Sequence, residues 1–83
     1  MAEEKLIGHI SHFYGKISVG IIELSDGLKV GDKIHILGLH ADFEQTIDSM
    51  QVNHEDINAA KAGDSVGVKF SEPIREGDKV FLL

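Results

Sequence analysis

An all-β protein is predicted: a small closed barrel of Greek-key type, with six to seven mainly antiparallel strands and one short helical turn near residues 55–62. Three observations predict it. Apolar, β-branched residues fall in short alternating runs bounded by Gly, Asp and Asn. Proline occurs once and glycine nine times, so the runs are interrupted by turns and not by rigid linkers. A Gly-Asp pair also opens an alternating run three times, in VGDKIHI, AGDSVGV and EGDKVFL.

The elements follow in order. KLIGHISHF is the first strand and KISVGIIEL the second, with Tyr14-Gly15 at the turn. SDGLKVGD is a turn-rich link. DKIHIL is the third strand, Ile34 and Ile36 facing one way and Lys33 and His35 the other. GLHAD is a loop and FEQTIDSMQVN one long fourth strand. DSVGVKF, with Val66, Val68 and Phe70 inward, and DKVFLL complete the set. Two strands change phase. Ile17, Val19 and Ile21 share one face while Ile22 and Leu24 share the other, and Ile47 is out of step with Met50 and Val52. Such a slip predicts a β-bulge or a sharp bend. HEDINAAKAG carries Ala59, Ala60 and Ala62 before Gly63, which predicts the single helical turn.

The Gly-Asp pairs Gly31-Asp32, Gly63-Asp64 and Gly77-Asp78 are read as structural turns. Glycine takes positive φ without steric cost, and the aspartate can accept hydrogen bonds from nearby amides. Their spacing is uneven, so this is a corner device and no fixed-period repeat. Without a covering helix, strands this short must pack as a sandwich or close on themselves, and closure removes exposed edges.

The 83 residues are read as a single domain, 1–83. Cysteine is absent, which excludes thiolate chemistry and fits a reducing compartment; the expected location is cytoplasmic. The first residues, MAEEKLIGHI, lack a basic, apolar leader pattern. A net charge of −6 argues against DNA and against anionic membranes.

No phosphate-binding loop, nucleophile elbow or HExxH motif is present, so no GTP binding, no catalysis and no cofactor are expected. His9, His12, His35, His40 and His54 do not converge in sequence, so no metal is expected. The acidic clusters AEE, HED and EGD read as solvated termini and turns. Phe13-Tyr14 could stack on a base, but rim packing accounts for it more simply.

Four segments in order, GKISVGIIELSDGLKVGDKIHILG, TIDSMQV, KAGDSVGVKF and IREGDKVFLL, resemble the second domain of translational GTPases such as elongation factor Tu. The chain is still more similar to small stand-alone elongation-factor-like proteins. Similar barrels also occur as accessory C-terminal domains of some peptidase-like proteins. In elongation factor Tu this barrel helps hold the aminoacylated 3′ end of tRNA. The resemblance places that contact at Gly20, Gln51, Gly67 and Lys69, with Gln51 and Lys69 standing where the family has glutamate and leucine. It implies a non-enzymatic binding module at the translation machinery. RNA or aminoacyl-tRNA would be met only within a larger assembly, and a protein partner is expected. The alternative reading is an accessory protein-interaction barrel that partners a peptidase-like or other enzyme without binding RNA.

Overall fold

The computed structural model describes residues 4–53 and 55–83. The strands are β1 (Lys5–Tyr14), β2 (Val19–Leu24), β3 (Leu28–Lys29), β4 (Lys33–Leu37), β5 (Asp42–Thr46), β6 (Met50–Val52), β7 (Glu55–Ile57), β8 (Ala59–Ala60), β9 (Ser65–Lys69) and β10 (Lys79–Leu82). Eight form one sheet in the order β5-β4-β10-β1-β2-β9-β6-β7, and β3 pairs with β8 beside it. Every pairing is antiparallel.

The sheet curls into an open half-barrel, which corrects the closed barrel of six to seven strands expected from the sequence. Its two outer strands, β5 and β7, do not pair with each other. The reason lies in β6: it is three residues long and meets β9 at the single pair Gln51↔Gly67, so the ladder stops before the sheet can come round. Carboxylates at Glu55 and Asp56 on β7 discourage pairing at that edge.

The helical turn expected near residues 55–62 is absent, and strands β7 and β8 stand there instead. Ala59 and Ala60 pair with Lys29 and Leu28, and Val30 donates its N–H to the Asn58 carbonyl at 2.9 Å. The helical preference of alanine is worth only tenths of a kcal/mol per residue, roughly, and ladder pairing overrides it. The run 43–53 is not one strand but two. The chain leaves β5 at one edge of the sheet and reappears as β6 near the other, which accounts for its change of phase. The second strand begins only at Val19 and keeps one parity, with Gly20, Ile22 and Leu24 buried. The register shifts sit in β1, between Leu6 and Gly8 and between Ile10 and His12. They let this long central strand serve β10 with its first half and β2 with its second.

The core is one cluster. Ile7, Ile10, Ile22, Ile34, Ile36, Ile47, Met50, Val66, Val68 and Val80 are fully enclosed, each stabilising the fold by about 1.5–3 kcal/mol through burial.

Three corners hold the curl by one repeated arrangement. In Lys29–Asp32, Lys61–Asp64 and Arg75–Asp78 the glycine has φ of +97°, +93° and +93°. The aspartate N–H donates to the carbonyl of the basic residue three before it, at 3.0–3.1 Å. Its carboxylate accepts the N–H of that same residue at 3.0, 3.1 and 2.9 Å. Each corner then clamps a distant buried residue. Gly31 donates to Ile47, Gly63 to Leu24 and Gly77 to Ile10, while those residues donate back to Asp32, Asp64 and Asp78, all at 2.7–2.9 Å.

Candidate binding surface

The four positions singled out by resemblance fall on three adjoining strands. Val19 on β2 faces Lys69 on β9, Ile21 faces Gly67, and Gly67 faces Gln51 on β6. They do not form one constellation. Gly20 is buried and points inward: a Cβ there would lie 2.5 Å from Ile74 Cδ1 and 2.7 Å from Phe70 Cε2, so glycine makes room for the core. Gly67 and Gln51 point outward together. Lys69 is exposed one step further along the same face, and Gln51 donates from Nε2 to Asp56 Oδ1 at 2.9 Å.

Around Gly67 lies an open groove of about 550 Å³, lined by Tyr14, Ile17, Val19, Ile21, Gln51, Asn53, Ser65 and Gly67. Gly67 forms part of its floor, and a Cβ there would meet Ile21 Cδ1 and Val19 Cγ1 at an ordinary contact distance of 3.6 Å. Ile17 is 61% exposed and Tyr14 49% exposed at its rim. Among the described residues no charged side chain lines the groove, although the chain carries a net charge of −6. Two non-glycine residues with positive φ, Ser18 at 57° and Asn53 at 53°, flank it, a backbone state that costs energy and tends to cluster at functional surfaces. The sequence signal for the groove was the shared face of Ile17, Val19 and Ile21. It marks an outer apolar stripe and not a phase slip.

Phe13 packs half-buried against the core, whereas Tyr14 turns outward with its ring 4.4 Å from that of His12. The histidines are spread over the surface. His9 lies 3.2 Å from Glu23 and His12 lies 3.6 Å from Glu76, His40 is exposed in the β4–β5 loop, and His54 and Glu3 lie outside the described residues. Among the described residues no group of three or more His, Asp or Glu is placed to hold a metal ion.

His35 was not foreseen as a site. Its side chain is only 15% exposed, with Nδ1 at 2.8 Å from Glu4 and Nε2 at 2.6 Å from Asp42. Both ring nitrogens face carboxylates, which only the imidazolium satisfies as a double donor. Hydrogen bonding to Glu4, then to Asp42, raises its pKa above the ordinary imidazole value. The carboxylates sit on opposite sides of the ring, so they share no point at which a metal could bind all three groups. The sequence signal was absent, because Glu4 and His35 are separated by 31 positions.

No helix among the described residues is long and apolar enough to cross a membrane. No family model matches the chain. Over 78 residues it is 49% identical to an uncharacterized protease of Methanocaldococcus jannaschii, a match that takes in 93% of this chain. The chain spans about a fifth of the length of that relative, 19%. In structure it is similar to the C-terminal domain of a predicted U32 peptidase of Geobacillus thermoleovorans, with TM-score 0.89 and 15% identity over 95% of this chain and 92% of that one. The selenomethionine variant of the same domain gives TM-score 0.87 and 15% identity over 92% and 96%. At that identity the likeness shows the fold.

These matches overturn the resemblance to elongation factor Tu and to elongation-factor-like proteins, and with it the assignment to translation and tRNA. Relative and structural neighbours are of the protease and U32 peptidase kind. The physical reason is in the quoted segments. Three of the four contain a Gly-Asp corner followed by an alternating strand, a pattern that any small curled sheet needs in order to turn.

Proposed function

We propose that this chain is a non-catalytic accessory module that works with a peptidase-type enzyme and contacts it through the groove around Gly67. The observation that carries this reading is the 49% identity to the Methanocaldococcus jannaschii protease over a stretch making up 19% of that protein. The groove supports it physically. Its described lining is mainly apolar, with Gln51, Asn53 and Ser65 as polar members and no charged side chain, and Tyr14 and Ile17 stand at its rim, a composition that suits an interface centre. The partner is therefore a protein surface that offers apolar side chains, and RNA plays no part.

The test mixes the purified chain with the Methanocaldococcus jannaschii protein lacking its 78 matched residues, and follows complex formation by calorimetry. A stable complex is expected, weakened about tenfold or more by Ile17→Asp. Because Ile17 is exposed, that variant should unfold within about 0.5 kcal/mol of the parent chain. No complex, or peptide hydrolysis by the isolated chain, would refute the reading.

A further inference from the structure

The open side of the half-barrel is bridged by a side chain. Strand β9 is paired to β2 along its whole length, through Val19↔Lys69, and Phe70 continues the ladder by donating to Ser18 at 2.8 Å. On its other edge, among the described residues, β9 has backbone pairing only at Gly67. Beyond that point the outward groups alternate, so the Lys69 carbonyl and the Ser71 N–H both face the gap towards β5. The carboxamide of Gln45, on β5, fills that gap. Its Nε2 donates to the Lys69 carbonyl at 3.0 Å, and its Oε1 accepts the Ser71 N–H at 3.0 Å and the Ser71 hydroxyl at 3.2 Å.

This donor–acceptor pair straddles Phe70 as one residue of a parallel strand would, giving to the carbonyl before it and taking from the N–H after it. Gln45 thus stands in for a missing rung of ladder. Beside it opens a cleft of about 360 Å³ whose lining includes Thr46, Asp48, Ser49 and Ser71, with the buried Phe70 beneath. Hydroxyls and a carboxylate suit peptide groups better than large apolar side chains. Lys69 stands on the strand that also carries Gly67, so cleft and groove are two separate features reached from one strand.

We propose that this seam receives an extended segment of the protein partner, which displaces the Gln45 carboxamide and takes over its hydrogen bonds to Lys69 and Ser71. Main-chain pairing at an open sheet edge is an established way for a domain to hold a peptide. The inference rests on the reading that the chain works by contacting a peptidase-type protein, and it adds the chemical form of one contact: backbone to backbone, beside the side-chain contact of the groove.

The probes are overlapping 15-residue peptides covering the part of the Methanocaldococcus jannaschii protein outside the matched stretch. They are titrated into the isotope-labelled chain and into its Gln45→Ala and Ile17→Asp variants, with amide resonances as the readout. The expected result is a peptide that shifts Thr46, Lys69 and Ser71. It should bind Gln45→Ala about fivefold more tightly, because the competing carboxamide is gone. It should bind Ile17→Asp unchanged. Shifts at Tyr14, Val19 and Ile21 without shifts at the seam would overturn the proposal, as would the absence of any binding peptide. If the truncated protein still forms its calorimetric complex while no peptide binds, the seam fails and the accessory reading stands; if neither binds, both fail.

Discussion

Ile10 donates its backbone N–H to the carbonyl of Asp78 at 2.8 Å, 68 positions later in the chain, and accepts the N–H of Gly77 at 2.7 Å in return. The same two bonds join Leu24 to the corner at Gly63-Asp64 and Ile47 to the corner at Gly31-Asp32. Each corner thus fixes the start of one strand against a buried residue elsewhere in the chain.

The corners should therefore be costly to alter, and unequally so. Gly77→Ala forces a side chain into φ of +93° and should cost about 1–2 kcal/mol. Asp78 is buried, and Asp78→Ala should cost about 2 kcal/mol by leaving the Arg75 N–H without its acceptor. Asp64 is more open, and Asp64→Ala should cost about 1 kcal/mol or less. Urea unfolding of the three variants checks the order; equal costs at Asp64 and Asp78 would show that burial of the corner does not matter.

Stability should fall as pH rises past neutrality. His35 gains carboxylate partners on folding, so its folded pKa lies above the unfolded value of 6.5. Its contribution is fully present below that unfolded value and is lost as pH rises through the raised folded one. The charged groups around it are Glu4 before β1, Asp42 on β5 and the pair Lys33–Glu44 at 3.2 Å across β4 and β5, with Lys79 on β10. Phe81 stacks loosely at 6.2 Å and carries no charge. A loss of no more than about 1 kcal/mol is expected, and His35→Gln should abolish it. Titration of the His35 ring proton at or below the ordinary imidazole value would contradict the clamp.

The two inward- and outward-facing glycines should part company. Gly20→Ala meets Ile74 and Phe70 and should cost about 1–3 kcal/mol through overpacking. Gly67→Ala finds its neighbours at ordinary contact, 3.6 Å, and should change stability by no more than about 0.5–1 kcal/mol. Thermal melts of both variants decide whether Gly20 makes room for the core while Gly67 does not.

Removing the bridging carboxamide should loosen one place and leave the rest intact. In Gln45→Ala the Ser71 amide loses its acceptor and should exchange with solvent about fivefold faster or more, while the Ile22 amide in the core keeps its protection. Unchanged exchange at Ser71 would mean that the contact is not kept in solution.

The all-β class, the strands at Lys33–Leu37, Ser65–Lys69 and Lys79–Leu82, and the inward faces of Ile34, Ile36, Val66 and Val68 could be read from residue alternation, because parity along a strand is a local property. The same locality explains two errors. Ala59 and Ala60 suggested a helical turn because their partners Lys29 and Leu28 lie far away in sequence. The Gly-Asp corners suggested a translation factor because corner chemistry is shared by unrelated curled sheets. Of the candidate surface, the apolar face of Ile17, Val19 and Ile21 was visible, but its role as a groove depends on Gly67 and Gln51 arriving from other strands.

By itself, then, the order of residues determined which segments extend, where they turn and which sides go inward. Whether the sheet closes, what Gln45 bridges and what charges His35 meets were decided only in three dimensions. Those outcomes depend on hydrogen bonds and ion pairs between groups 7, 24, 26 and 31 positions apart, and most of these distances lie beyond the reach of any local pattern.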